Sequence, residues 1–157
     1  MTSTPPAPET PASPPNADLV GPPAPKPCTS CPYRSDVPSG IWHPSEYDKL
    51  SDYDRPLEEQ PQRLFLCHQN DADSARSRMC AGWVGCHGPD ILGLAIALIS
   101  NDISHTTYHA ARDYTSPVPL FGSGAEAAAH GRTDLECPGP AAQRAITKIT
   151  TRRTDLQ

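Results

Sequence analysis

Two cysteines separated by two residues, Cys28 and Cys31 in the run CTSC, constrain this chain more than any other feature. A CxxC turn lets two thiolates reach the same ion, and further ligands must then be carried in from elsewhere. Cys67 and Cys80 are the obvious pair, because Cys67 ends the apolar run RLFLC and Cys80 opens a glycine-rich segment anchored by Trp83. Four thiolates satisfy a tetrahedral Zn2+ or the irons of a small iron–sulfur cluster. His68, Cys86 and His87 stand beside these ligands as alternatives, and a Cys/His mixture would point to zinc. Against zinc, the third and fourth cysteines arrive singly, as is common around iron–sulfur clusters. The expected cofactor is therefore Zn2+, with an iron–sulfur cluster as the alternative. Cys137, in LECPGP, reads as a bystander.

Other uses of six cysteines fit less well. Three disulfides would need an oxidising compartment, and the N-terminus has neither the basic start nor the apolar run of an export signal. A thioredoxin-like redox pair belongs at a helix start after a strand, whereas here a proline-rich stretch precedes the CxxC. Ten of the twenty prolines lie in the first 27 residues, which contain no aromatic side chain. That composition predicts a disordered arm over residues 1–27. A cysteine-bearing metal-binding core is expected over 28–115, and a C-terminal helical extension packed on it over 116–157.

The local signals predict a mainly α fold with irregular loops and at most a short strand pair, a small metal-stabilised domain behind its arm. Pro44 and Glu46 suit the first turn of a helix over His43–Leu50. RLFLCH reads as a short strand or extended segment, and Asn70–Arg78 as a polar loop. CAGWVGCHG, with Gly82, Gly85 and Gly88, reads as a series of tight turns. The run from Ile91 to Ile99 is apolar on nearly every face, which predicts a central helix. Asn101 is expected to end it, with a second helix over Ser104–Tyr114. TSPVPLF reads as an extended crossing segment. Ser123 and Gly131 bracket an alanine-rich helix, and a last helix runs over Pro140–Arg153. On this last helix Arg144, Lys148 and Arg152 recur every four residues and form the candidate partner-binding face.

Four stretches, CTSCPYRSDVPSGIW, FLCHQ, CAGWVGCHG and DYTSPVPLFGSGAEAAAHG, span most of residues 28 to 131. In them the chain resembles an uncharacterised family, a domain of unknown function, of small four-cysteine proteins from actinobacteria and actinophages. The resemblance implies Cys28, Cys31, Cys67 and Cys80 as the ligands, and an actinobacterial or phage setting. It implies no activity.

Three classes of function are compatible with these features. The first is a non-enzymatic, metal-stabilised module acting in macromolecular interaction or regulation, its partner left open between a protein and, through a local basic patch, a nucleic acid. The second is an iron–sulfur redox or sensor protein. The third and most remote is a metal-dependent hydrolase, for which only His68, His87 and Asp90 could assist; no nucleophile elbow, phosphate loop or HExxH occurs, so no catalytic residue is assigned. A net charge of −5 gives no general attraction to nucleic acid. Ile91–Ile99 is too short for a bilayer, which takes roughly 20 residues, so no membrane partner is expected. The expected location is the cytoplasm, that of a bacterial host if the gene is a phage's.

Overall fold

A computed structural model describes residues 19–67 and 77–153. The described residues form six α-helices and no named strand: α1 (Pro44–Asp48), α2 (Ala81–His87), α3 (Leu92–Ile99), α4 (His105–Arg112), α5 (Gly124–Gly131) and α6 (Pro140–Arg152). Two short 3-10 turns, Leu50–Asp54 and Leu57–Glu59, follow α1. The mainly α reading of the sequence holds.

Three isolated bridges replace a sheet. Gly21 pairs with Arg78, Leu66 with Met79, and Arg34 with Leu120. The 77–80 segment is therefore flanked on both sides. Gly21 N–H donates to Ser77 O and Met79 N–H to Gly21 O, while Cys67 N–H donates to Arg78 O and Cys80 N–H to Phe65 O. This small ribbon satisfies buried backbone groups that an irregular fold would otherwise leave unpaired. It also sets Cys67 and Cys80 on neighbouring segments.

Around it lies one apolar cluster, in which Trp83, Tyr33, Tyr47, Leu50, Met79 and Leu94 are almost wholly buried. Ala127 and Ala128 of α5 and Ala142 and Ile149 of α6 belong to the same cluster. Alpha5 packs on α1 and the 50–54 turn, and α4 packs on α2 and α3. The residues after 115 are thus woven into the core. Tyr33 O accepts from Phe121 N–H, and Ser35 N–H donates to Pro119 O.

Several expectations need correction. Residues 19–27, expected to form part of the arm, are joined to the core: Leu19 N–H donates to Asp102 O, Tyr114 Oη to Pro25 O, and Pro27 is fully buried. Residues 1–18 lie outside the described residues, as do most of the polar loop expected at 70–78 and His68. The glycine-rich CAGWVGCHG forms a helix, α2, over most of its length. Glycine disfavours helix by about 1 kcal/mol relative to alanine, but tertiary packing overrides so weak a preference. Alpha3 is peripheral, since Ile99 is 79% exposed and Leu92, Ala95 and Ile96 are only half-buried. Its uniform apolarity cannot report which side is covered. Gly131 is the last residue of α5, ahead of a right-handed cap at Arg132, and it faces the Tyr47 ring, which a Cβ there would strike.

Alpha5 shows how firmly one element can be specified. Ser123 Oγ accepts from Glu126 N–H at 3.1 Å, and Glu126 reaches back to accept from Gly122 N–H at 3.0 Å. Asp54 accepts from Gly124 N–H at 2.7 Å and Ala125 N–H at 2.9 Å. The free N–H groups of the first turn are thereby satisfied. Asp54→Ala leaves two of them without this partner and is expected to lower stability by about 1–2 kcal/mol, read by urea denaturation. An unchanged midpoint would mean that water serves the helix equally well.

Candidate metal centre

The CTSC knuckle is held from three directions. Cys31 N–H donates to Cys28 O at 3.0 Å and Arg34 N–H to Cys31 O at 3.1 Å, closing successive turns. Trp42 Nε1 donates to Ser30 O at 2.9 Å, and Arg34 Nη1 to Pro27 O at 3.1 Å. Arg34 is in turn clamped by Asp36 through two bonds of 2.7 and 2.8 Å. That pairing holds the Asp36 carboxyl below its usual range. Sequence inspection did not single out Arg34, although a cation three residues after a thiol pair is a useful signal. Its charge lies close enough to Cys31 and Cys28 to interact with them.

Cys67 and Cys80 come to this knuckle from the ribbon. Cys31 Sγ lies 3.7 Å from Cys80 Sγ, and Cys67 Sγ lies 4.0 Å from Cys28 Sγ. Cys28 and Cys31 lie near enough to influence each other's protonation. The sulfur contacts form two pairs, Cys28 with Cys67 and Cys31 with Cys80. All four are free thiols. Cys31 and Cys80 are 1% and 3% exposed, while Cys28 and Cys67 are half-buried. The group therefore has an inner and an outer pair. A cleft of about 330 Å³ is lined by Tyr53, Arg63, Phe65 and Cys67 among others, and so includes one member of the outer pair.

Packing keeps the inner pair dry. Gly82 of α2 backs directly onto Cys31 Sγ, and a Cβ there would also stand 2.8 Å from Tyr33 Cβ. The glycine read as a turn former is thus a spacer that lets a helix approach a thiol. Crowding and burial govern the protonation of the group. The Cys28 thiol is pushed up to about 11, first by Cys31 beside it, against a lowering by Cys67 and with burial adding to the rise. For Cys31 the hydrogen bond with Cys28 lowers the value, but Cys80 and burial together outweigh it and leave the thiol well above its ordinary range. Protons would have to leave these sulfurs on metal binding, which makes affinity fall with falling pH.

The spacing suits one ion. A tetrahedral ion with metal–sulfur bonds of about 2.3 Å places its sulfurs about 3.8 Å apart, and the two measured contacts bracket that edge. As the side chains stand, no three or more Cys, His, Asp or Glu among the described residues converge into a finished cage. Ligation would require their side chains to rearrange.

The alternative ligands are placed elsewhere. His87 Nε2 lies 3.1 Å from Tyr33 Oη and Nδ1 3.7 Å from Asp54 Oδ1, so both ring nitrogens have partners. Cys86 is half-buried on α2, its thiol pushed up to about 12 by burial and then by Asp54 and Glu126. Cys137 is exposed. Arg144, Lys148 and Arg152 lie on the exposed side of α6 as expected.

His87 carries a pH prediction. Burial, which outweighs the opposing pull of Asp54, lowers its pKa from 6.5. The unfolded chain then binds a proton more readily than the folded one. Stability from this group is complete above pH 6.5 and is lost as pH falls through the unfolded value toward the lower folded one. Melting curves of wild type and His87→Gln should diverge least at low pH, and parallel curves between about pH 5 and 8 would remove His87 as the cause.

A family model matches residues 23–153. The chain belongs to DUF6283, a family of unknown function. The DUF6283 segment contains all six cysteines, α1 to α6 and Pro27, whose carbonyl anchors Arg34. It begins before the knuckle, in keeping with the packing of the residues that precede Cys28. No curated protein and no solved structure matches the chain. Among the described residues no single helix is long and apolar enough to cross a membrane. Alpha2 and α3 together have the length and composition but are bent by 116° at their junction, and they supply Trp83, Val84 and Leu94 to the core.

Proposed function

We propose that this chain is a small intracellular four-cysteine module that binds one Zn2+ through Cys28, Cys31, Cys67 and Cys80 and acts, without catalysis, in macromolecular interaction or regulation. The observation that carries the reading is the pair of close sulfur contacts, Cys31 to Cys80 and Cys28 to Cys67, carried by the two cysteines of one CxxC turn. A metal here ties the knuckle, the 65–67 segment and the start of α2 to one point, and four thiolate ligands leave no open coordination position for a substrate. Arg34 offsets part of the negative charge that four thiolates would bring. Arg144, Lys148 and Arg152 form the surface proposed for a protein partner. An actinobacterial or phage origin, with a role in the bacterial cytoplasm, rests on the motif resemblance.

The test is metal analysis of protein purified with and without air. One equivalent of zinc in colourless protein is expected from both preparations. A brown anaerobic preparation with visible absorption and bound iron would replace this reading with the iron–sulfur sensor. Protein free of any metal, and unable to take up Zn2+, would end both.

A further inference from the structure

We infer that the four thiols are a peroxide-responsive switch, in which Cys28 joins Cys67 and Cys31 joins Cys80 as the metal is discharged. The inference rests on the four-thiol site proposed above and adds its regulation. Three features of the molecule point the same way.

The first is distance. The Cys31–Cys80 and Cys28–Cys67 sulfurs, at 3.7 and 4.0 Å, need to close by only about 2 Å to reach disulfide length. The second is access. Cys28 and Cys67 are the two half-buried members of the four, and Cys67 lines the cleft beside Tyr53 and Phe65. A small neutral oxidant therefore meets the outer pair before the inner one. The third is connectivity. Cys28 and Cys67 are 39 residues apart and Cys31 and Cys80 are 49 apart, so these two bonds cross-link the same segments that a shared ion would hold. A Cys28–Cys31 bond would close only the knuckle on itself.

The chemistry balances with hydrogen peroxide as the named oxidant. An outer thiolate attacks one peroxide oxygen, the O–O bond breaks, and a sulfenic acid and hydroxide form. The second outer thiolate attacks that sulfur and expels a second hydroxide as the S–S bond closes. The inner pair repeats the two steps with a second peroxide. Four thiolates lose four electrons, two peroxides gain them, and four protons from the acid form of the buffer convert the four hydroxides to water. With no thiolate left, the divalent ion departs. A thiol reductant reverses both bonds. The ties between segments persist through the cycle, so oxidation is expected to release metal without unfolding the helices.

The experiment uses the full chain, reduced and loaded with Zn2+, titrated with hydrogen peroxide. Released Zn2+ is followed with a chromophoric chelator, helicity by circular dichroism, and bonds by non-reducing tryptic mapping. No Lys or Arg separates Cys28 from Cys31, so trypsin leaves them in one peptide. The expected product links that peptide to those carrying Cys67 and Cys80, with fragmentation between Thr29 and Ser30 assigning the partners. About one equivalent of Zn2+ should be released with helicity retained, and reductant should restore uptake. A Cys28–Cys31 bond, bonds to Cys86 or Cys137, or sulfinic acids in place of disulfides would overturn the inference. Cys86→Ser/Cys137→Ser should give an unchanged map. Zinc content of the reduced protein, measured first, separates the two ideas. If no zinc binds, the proposed function fails, while the map of the oxidised metal-free thiols still decides the pairing.

Discussion

Cys31→Ser is expected to lose zinc almost completely and to melt far below the wild type. Cys31 is the most enclosed of the four, and its sulfur lies 3.7 Å from that of Cys80. A serine hydroxyl is a poor replacement for a thiolate on zinc. Water cannot make up the deficit at a position 1% exposed. Changes to groups that merely orient a ligand cost 10–100-fold in affinity, so removal of a ligand should exceed about 100-fold, or about 2.7 kcal/mol. Binding energy at a structural site is folding energy, and the melting temperature should fall with it. Cys67→Ser should lose less, because the outer position admits a water ligand. Cys137→Ser, on an exposed loop, should change nothing. Chelator competition and thermal melts at fixed zinc measure all three. Retention of one equivalent by Cys31→Ser, with an unshifted melt, would remove Cys31 from the ligand set.

Gly82→Ala is the second large effect, and its sign runs against intrinsic preference. In an exposed helix this change stabilises by up to about 1 kcal/mol. Here the added methyl would enter the space of Cys31 Sγ and stand 2.8 Å from Tyr33 Cβ. Neither side can yield freely. Alpha2 is pinned by Trp83 and Val84, both almost wholly buried, and Tyr33 is 0% exposed. Overpacking of this kind costs about 1–3 kcal/mol. Because the first atom struck is the Cys31 sulfur proposed as a ligand, zinc affinity should drop along with stability. Urea denaturation with and without saturating zinc separates the parts, since the loss should be larger with the metal. Equal losses would mean that the clash is absorbed by Tyr33 and spares the site.

Much of the local structure could be read from short stretches of residues. Ser123 and Glu126 announce α5 through a capping pattern contained in four residues, and Ser104 does the same for α4 by accepting from Thr107 N–H. Asn101 ends the α3 region in the left-handed conformation, at φ 59°, that asparagine tolerates better than most residues. Such signals survive because both partners lie within one turn. CAGWVGCHG misled because glycine serves two purposes. It frees the backbone, and it also removes a side chain where another atom must come close. The second purpose, which governs Gly82, depends on Cys31, 51 positions earlier in the chain (82 less 31).

The division follows from range. Residue type and spacing were enough to propose Cys28, Cys31, Cys67 and Cys80 as one group and to place the capped helices and the mainly α character, since thiol chemistry and helix caps are local properties. The arrangement of those cysteines as an inner and an outer pair was decided by tertiary structure alone. It depends on the 77–80 segment pairing with both Gly21 and Leu66, on Trp42 and Arg34 gripping the knuckle, and on α2 approaching across a bare glycine. These contacts join residues tens of positions apart, and their strength comes from burial that no single segment can express before the others are in place.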